Sequence, residues 1–125
     1  AILRGGQEPN FDAGSVDAAS NALAAAGVCN KVMVDFSHGN SRKQHRLQIE
    51  VAKDTAAQLA AGEERIMGVM VESHLQEGRQ DLVPGQALEH GKSITDACIG
   101  WEDSLAVLEI LAAGVRARRL VEAAR

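Results

Sequence analysis

The sequence predicts an α/β fold in which the strands of a parallel sheet alternate with helices. Three short segments, at residues 1–3, 31–36 and 66–71, are largely apolar, as strands buried on both faces of a parallel sheet are. A helical segment follows each of them, and this order favours right-handed crossovers between parallel strands. Arg4, His38 and Glu72 follow the three segments at equal spacings of 34 residues (38 − 4 and 72 − 38). Regular units with a polar residue at the end of each strand are typical of a TIM barrel.

The helices of the first two units are predicted from composition, spacing and the glycines that follow them. The first, over residues 12–26, is rich in alanine and is followed by Gly27. The second, over residues 41–61, is followed by Gly62 and has apolar residues at near-helical spacing, namely Leu47, Val51, Ala52 and Leu59. A glycine just past the last helical residue is a common way for a helix to end.

The third unit has a long connection before its helix. Residues 73–101 contain Gly78, Pro84, Gly85 and Gly91, and a connection of that length in a compact domain is usually functional or partly helical. The helix predicted over residues 103–124 has one apolar face, made by Leu105, Leu108, Leu111, Ala112 and Val115. The three units therefore end on the longest predicted helix of the chain.

A doubly wound sheet has the same local order of elements as a TIM barrel. Such sheets usually bind phosphate at a glycine-rich turn that opens a helix, and the sequence contains neither a GxGxxG nor a P-loop motif. Eight units of this size make a barrel of roughly 250 residues, and three units alone leave two bare sheet edges. We therefore expect residues 1–125 to be one fragment of a single TIM-barrel domain.

Composition excludes several classes of partner. The net charge of −4 argues against binding to nucleic acid or to an acidic membrane surface. Aromatic residues make up only 2% of the chain, so platforms for base stacking are not expected. There is no apolar run of the length that crosses a bilayer. Cys29 and Cys98 form no framework of spaced pairs, and we expect a reduced, cytoplasmic setting.

His38, Glu72 and Asp96 form a candidate metal site. One imidazole and two carboxylates can bind a divalent cation such as Mn²⁺, Fe²⁺ or Zn²⁺ and leave positions open for substrate or water. Each residue also has an ordinary structural interpretation: a hydrogen-bonded histidine at a strand end, a glutamate in an ion pair, and an aspartate in a turn or cap. Spacing alone does not separate these alternatives.

Arg4 and the two glycines after it are a candidate anion site. Glycines let the backbone approach a ligand closely, and a guanidinium binds phosphate or carboxylate through two parallel hydrogen bonds. The alternative for Arg4 is a structural salt bridge at the barrel end. Asp35 also lies near a strand end, and its position in the strand leaves its role open.

Longer stretches of sequence carry a resemblance to a known family. The first is Ile-Leu-Arg-Gly-Gly at residues 2–6 with Glu-Pro-Asn at 8–10, and the second is Val-Asp-Phe-Ser-His-Gly-Asn-Ser at 34–41. The third is Gly-Val-Met-Val-Glu-Ser-His-Leu at 68–75 with Glu-Gly at 77–78, and the fourth is Ser-Ile-Thr-Asp-Ala-Cys-Ile-Gly-Trp-Glu-Asp at 93–103. In this order they resemble the C-terminal part of the class I, metal-dependent 3-deoxy-D-arabino-heptulosonate 7-phosphate (DAHP) synthases. The resemblance covers nearly all of the chain.

The resemblance implies an aldol-type transferase of the shikimate pathway, which leads to chorismate and the aromatic amino acids. It would condense phosphoenolpyruvate with erythrose 4-phosphate. His38, Glu72 and Asp96 match metal ligands of the family, and Arg4 matches the arginine that binds the phosphate of phosphoenolpyruvate. The implied partners are the N-terminal part of the barrel and further copies of the subunit, since a homo-oligomer is expected.

The sequence also departs from the family pattern. Gly39 stands where the family usually has alanine, and Phe11-Asp12 where Tyr-Ser is common. The family's cysteine ligand, its catalytic-site lysine and its other phosphate-binding cations have no counterpart, so we expect the 125-residue chain alone to be inactive. Two alternatives stay open: an octulosonate 8-phosphate type of synthase, against which residues 93–103 argue, and a non-catalytic remnant of the fold.

Overall fold

Three parallel strands form a single sheet in the computed structural model, which describes residues 1–125. The strands are β1 (Ile2–Leu3), β2 (Val32–Asp35) and β3 (Ile66–Met70), and their order in the sheet is β1-β2-β3. Leu3 pairs with Val34, and Val34 pairs with Val69. The predicted α/β fold with parallel strands is confirmed, and each strand lies within its predicted segment.

The three α-helices are α1 (Ala13–Ala25), α2 (Leu47–Ala60) and α3 (Trp101–Ala123). Helix α1 begins after Asp12, whose carboxylate accepts a hydrogen bond from the amide of Ser15, and Gly27 follows its end with φ of 74°. Helices α2 and α3 lie in close contact at Gly114: a Cβ atom there would stand only 2.8 Å from the carbonyl oxygen of Ala56. None of the helices has the length and hydrophobicity needed to cross a lipid bilayer.

The hydrophobic core lies between the sheet and the helices. Its centre is the fully buried trio Val32, Val34 and Phe36 on and just after β2. The other buried apolar residues of this cluster are Val16, Val51, Ala52, Leu59, Ile66, Ile99 and Val107. Each of the three α-helices contributes residues to this core, and their packing against the sheet fixes the positions of the strand ends.

The predicted start of the second helix at residue 41 is wrong. Residues His38–Ser41 form a short 3₁₀ helix, and α2 begins only at Leu47. Between them, Arg42 and Lys43 have φ angles of 51° and 59°. A right-handed helix cannot contain residues in this left-handed region. The amides of Arg42 and Lys43 instead donate to the carbonyl groups of Gly39 and His38, which closes a tight turn.

The long connection between β3 and α3 contains no α-helix. Three isolated bridges tie it together: Ser73 with Ile99, Gly78 with Cys98, and Arg79 with Ser93. The side chain of Gln80 adds hydrogen bonds to the carbonyl groups of Glu89 and Lys92, at 2.8 and 2.9 Å. This connection is therefore an ordered loop that returns Asp96 to the carboxyl end of β3.

Candidate metal and anion site

Arg4, His38, Glu72 and Asp96 line a single cavity of about 360 Å³ at the carboxyl ends of the strands. The parallel order of the sheet produces this convergence, because residues just past neighbouring strands stand at the same edge. The remaining lining residues are Ser37, Ser41, Lys43, His45, Arg79 and Ala97. All four residues singled out in the sequence thus face one space.

His38 is oriented by Asp35. The Nδ1 atom of the imidazole lies 2.8 Å from Oδ2 of Asp35, whose side chain is almost fully buried. The other carboxylate oxygen of Asp35 accepts a hydrogen bond of 2.8 Å from the amide of Ser37. An ionised carboxylate only accepts hydrogen bonds, so Nδ1 carries the proton and the lone pair of Nε2 is left for a ligand. The role of Asp35 that the sequence left open is therefore a contact with His38.

The carboxylate of Glu72 lies between Ser37 and His38. The Ser37 hydroxyl donates to Oε2 of Glu72 over 2.6 Å. The other oxygen, Oε1, lies 3.6 Å from Nε2 of His38, which is too long for a hydrogen bond. Serine therefore occupies one oxygen of the carboxylate, and the second stands beside the free nitrogen of the imidazole.

Asp96 completes the group from the loop between β3 and α3. It is exposed, and its main-chain carbonyl accepts a weak hydrogen bond from the Cys98 thiol. Its carboxylate forms none of the ion pairs of the chain. A turn or cap role would have given that carboxylate a local partner, which it lacks.

The geometry and chemistry of these side chains fit a divalent cation. One ligand atom each from His38, Glu72 and Asp96 all lie within 4.8 Å of one another. Two ligands bound at about 2.1 Å from one ion lie at most about 4.2 Å apart, so small side-chain rotations would bring the three atoms into range. One nitrogen and two oxygens suit Mn²⁺, Fe²⁺ or Zn²⁺.

Neither cysteine belongs to this group. Cys29 is exposed and precedes β2, whereas Cys98 is buried. Burial raises the pKa of the Cys98 thiol, and the nearby carboxylates of Glu72 and Asp96 add to that effect. Because only the thiolate binds metal well, the raised pKa disfavours Cys98 as a ligand.

Arg4 has no acidic partner. Its guanidinium forms no ion pair and no side-chain hydrogen bond, although Arg46, Arg65 and Arg125 each pair with a glutamate. The structural salt bridge considered from the sequence is absent. The main chain around Arg4 is held firmly, since its carbonyl accepts from the Asn40 amide and Gly5 donates to the Asn10 side chain. A cation fixed in a cavity without a carboxylate partner is suited to bind an anion.

Sequence reasoning missed several residues of the cavity. Ser37 lies inside the motif that contains His38, and its hydroxyl could have been considered as a partner for a neighbouring strand end. Lys43, His45 and Arg79 carry no such signal, because they reach the cavity through the left-handed turn after His38 and through the loop that follows β3. Lys43, like Arg4, forms no ion pair.

A larger surface depression of about 660 Å³ lies elsewhere, between the ends of α2 and α3. Most of its charged groups form ion pairs: Arg65 contacts Glu63 and Asp17, and Arg125 contacts Glu64. Its remaining charged residue, Asp54, accepts a hydrogen bond from Gln58. No His or Cys lines this depression, so the smaller cavity, with its histidines and unpaired cations, is the better candidate for chemistry.

The chain is similar to known proteins over most of its length. The sequence model of the DAHP synthetase I family matches residues 1–109. The Phe-sensitive phospho-2-dehydro-3-deoxyheptonate aldolase of Escherichia coli K12 is 56% identical over 118 residues, which are 94% of this chain and 34% of that protein. The phospho-2-dehydro-3-deoxyheptonate aldolase of Haemophilus influenzae is 54% identical over 119 residues, again 94% of this chain and 33% of the relative.

A solved structure extends the likeness to the fold. The phospho-2-dehydro-3-deoxyheptonate aldolase of Francisella tularensis SCHU S4 superposes with a TM-score of 0.88 at 43% identity. The match covers 94% of this chain and 34% of the Francisella protein. The chain thus spans about a third of the length of the relatives it matches.

Proposed function

This chain belongs to the DAHP synthetase I family, and we propose that it supplies part of the active site of a 3-deoxy-7-phosphoheptulonate synthase. In this proposal the three β-α units form the C-terminal part of a TIM barrel, and residues 1–125 are a fragment of its single catalytic domain. The rest of the barrel would come from a preceding N-terminal part, and the complete enzyme would be a cytoplasmic homo-oligomer. The names of the relatives favour the heptulosonate product over an octulosonate.

One observation carries the proposal: Arg4, His38, Glu72 and Asp96 meet in one cavity without a network of structural partners that would explain them all. A remnant that had lost its chemistry would have no reason to keep an unpaired arginine beside three potential ligands. Burying or crowding charge is unfavourable without compensation, and a bound cation with anionic substrates would provide it.

The reaction joins C3 of phosphoenolpyruvate to the aldehyde carbon of erythrose 4-phosphate. As the new carbon–carbon bond forms, the aldehyde oxygen takes a proton, water adds to C2 of the enol phosphate, and inorganic phosphate leaves. Both substrates are anionic, so cationic side chains must offset their charge. In the proposed roles, Arg4 binds the phosphate of phosphoenolpyruvate, and Lys43 and Arg79 add positive charge to the same cavity.

His38, Glu72 and Asp96 would hold the divalent cation, which would be Mn²⁺, Fe²⁺ or Zn²⁺. Such an ion supplies Lewis acidity toward a carbonyl oxygen. The protein residues orient the ligands: Asp35 keeps the proton on Nδ1 of His38 and leaves Nε2 free, and Ser37 occupies one oxygen of Glu72 and leaves the other. These contacts would fix the ligand atoms before substrate arrives.

The proposal is tested by a chimera in which this chain replaces the matching third of the Escherichia coli relative. Consumption of phosphoenolpyruvate is followed with erythrose 4-phosphate and, separately, with a five-carbon aldose phosphate. We expect turnover with the four-carbon aldose only, and its loss in the same chimera carrying His38→Ala. A folded chimera that binds phosphoenolpyruvate but shows no turnover would favour the non-catalytic alternative. Preference for the five-carbon aldose would favour the octulosonate type.

A further inference from the structure

Gln48 is a polar side chain with no exposure to solvent, and it is the second residue of α2. Burying an amide is costly unless its hydrogen bonds are satisfied. Both ends of this amide are satisfied by one residue: Nε2 donates to the carbonyl oxygen of Glu72 over 3.0 Å, and Oε1 accepts from the amide of Glu72 over 2.9 Å.

Glu72 needs such a partner because it lies beyond the paired part of β3. That strand ends at Met70, whose carbonyl accepts the last hydrogen bond from the β2 side, donated by the Phe36 amide. Past this point, the Glu72 carbonyl also accepts from the Ile99 amide, but its own amide is held by Gln48. The Gln48 side chain thus takes the place of a neighbouring strand.

The direction of the Glu72 backbone decides where its carboxylate stands. With the main chain fixed on both sides by Gln48, one carboxylate oxygen meets the Ser37 hydroxyl at 2.6 Å and the other lies 3.6 Å from Nε2 of His38. Ser37 and His38 follow β2, and Gln48 lies on the helix that comes next in the chain. One β-α unit therefore holds both the main chain and the carboxylate of a residue from the following unit.

We propose that Gln48 is a positioning residue that directs the Glu72 carboxylate toward the metal site. The inference rests on the proposed metal-dependent function and adds to it a residue that touches neither metal nor substrate. Loss of the Gln48 amide would leave the Glu72 amide without its partner and the Glu72 carbonyl with the Ile99 amide alone, so the carboxylate would be held less tightly in one direction. All three candidate metal ligands would still be present, but their relative geometry would no longer be fixed.

A second buried glutamine on the same helix provides a matched control. Gln58 is 9% exposed, and its Nε2 donates to the carbonyl oxygen of Phe11 and to Asp54. It also bridges two parts of the fold, but it lies at the opposite end of α2 from Gln48 and does not line the cavity. Replacing either glutamine with methionine removes the hydrogen bonds at similar side-chain volume.

The experiment measures Mn²⁺ binding to the full-length protein and to its Gln48→Met and Gln58→Met variants, by the electron paramagnetic resonance signal of free Mn²⁺. Thermal melts are run in parallel, and the visible absorption of bound Co²⁺ reports the ligand arrangement. We expect Gln48→Met to weaken Mn²⁺ binding about 10- to 100-fold, as loss of an outer partner of a ligand does, and to change the Co²⁺ spectrum. Gln58→Met should lower the melting temperature and leave both metal readouts near wild type.

Several results would overturn the inference. Unchanged Mn²⁺ affinity in Gln48→Met would do so, as would equal weakening in both variants. If Gln48→Met does not fold, Gln48→Glu takes its place, because it keeps size and acceptor but sets an oxygen against the Glu72 carbonyl. Failure of both Gln48 variants to fold, with Gln58→Met intact, would assign Gln48 a structural role alone. A wild-type protein that binds no Mn²⁺ would instead remove the proposed metal site itself.

Discussion

The Nδ1 atom of His38 and Oδ2 of Asp35 lie 2.8 Å apart, although the two residues belong to different local structures. Asp35 is the last residue of β2, and His38 opens the 3₁₀ helix with a φ of 54°. A non-glycine residue in the left-handed region is uncommon and is retained when its surroundings fix it. Here the strained backbone turns the imidazole back onto the carboxylate and directs Nε2 into the cavity.

Asp35→Asn should therefore weaken Mn²⁺ binding by about tenfold or more. The amide keeps the size of the side chain but loses the negative charge that holds the proton on Nδ1 of His38. Titration of Mn²⁺ into the full-length protein measures the effect. Asp17→Asn is the control, because Asp17 pairs with Arg65 away from the cavity. Equal metal affinity in the wild type and Asp35→Asn would show that Asp35 serves the turn and not the site.

Replacing any one of the three candidate metal ligands should have the same effect. His38→Ala, Glu72→Ala and Asp96→Ala are each expected to lower metal content and abolish or greatly reduce synthase activity in the full-length protein. The fold should largely survive, because these side chains are partly exposed at the strand ends. Metal analysis of the purified variants, with thermal melts in parallel, is the measurement.

Glu102 and Asp103 are the matched acidic controls for that series. Both lie in the first turn of α3, where negative charge is favoured by the helix dipole. Glu102→Ala and Asp103→Ala should reduce stability modestly and leave metal content near wild type. If Glu102→Ala removed the metal and Asp96→Ala did not, the wrong carboxylate would have been assigned.

The sequence predicted the strands and the shared edge of Arg4, His38 and Glu72 because both depend on local pattern, whereas Asp96, in the loop after β3, was assigned from the resemblance. Continuous apolar segments identify buried parallel strands, and equal spacing between Arg4, His38 and Glu72 follows from repeating units. The start of α2 was predicted six residues too early, at residue 41 and not at Leu47. Arginine and lysine have no preference for the left-handed region, so nothing in the sequence marks the turn at Arg42 and Lys43.

Contacts between distant residues lay beyond sequence reasoning for a different reason. Gln48 stands in a segment whose apolar spacing already indicates a helix, and a glutamine there is compatible with an exposed position. Its partner, Glu72, is 24 residues away, and only the fold brings the start of α2 beside the segment that follows β3. The one indication in the sequence that Gln48 could be buried was its place beside the apolar positions Leu47 and Val51.

Arg4→Lys should raise the KM for phosphoenolpyruvate more than the KM for erythrose 4-phosphate in the full-length enzyme. Lysine keeps the charge but loses the planar group that binds a phosphate through two parallel hydrogen bonds. Steady-state kinetics with each substrate varied in turn gives both constants. Lys43→Met is a useful comparison, since Lys43 is the other unpaired cation of the cavity. Equal increases for both substrates in Arg4→Lys would mean that Arg4 has been assigned to the wrong ligand.

Gly39→Ala should destabilise the protein by about 1–3 kcal/mol, as overpacking commonly does. A Cβ atom at Gly39 would lie 2.7 Å from the carbonyl carbon of Gly5 and 2.9 Å from the backbone of Gly6. The loop that carries Arg4 would have to move, so phosphoenolpyruvate binding should weaken as well. The result bears on why this chain has glycine where the family usually has alanine.

Gly6→Ala is the control for that substitution, because a Cβ atom there meets nothing within 4 Å. Urea unfolding of the two variants and the wild type compares their free energies of unfolding. Gly6→Ala should remain close to the wild type. A Gly39→Ala protein as stable as Gly6→Ala would show that the loop of Arg4 adjusts freely.

Asp12 gives a prediction on pH. It caps the N-terminus of α1, and the hydrogen bond from the Ser15 hydroxyl, followed by that from the Ser15 amide, holds the pKa of Asp12 below its ordinary value. A carboxylate with a lowered pKa stabilises the fold above its ordinary pKa, and this contribution is lost as pH falls through the lowered one. Asp12→Ala should therefore lower the free energy of unfolding by about 1 kcal/mol at neutral pH, and the difference in this free energy from wild type should narrow at acidic pH.

Asp12→Asn separates capping from charge, because asparagine also caps helices but does not titrate. The Asp12→Asn protein should be about as stable as wild type at neutral pH, and its stability should lack the part of the acid dependence that comes from titration of Asp12. Urea unfolding of the three proteins across the acidic range measures their free energies of unfolding. A difference between wild type and Asp12→Ala that stayed constant with pH would contradict the assigned hydrogen bonds.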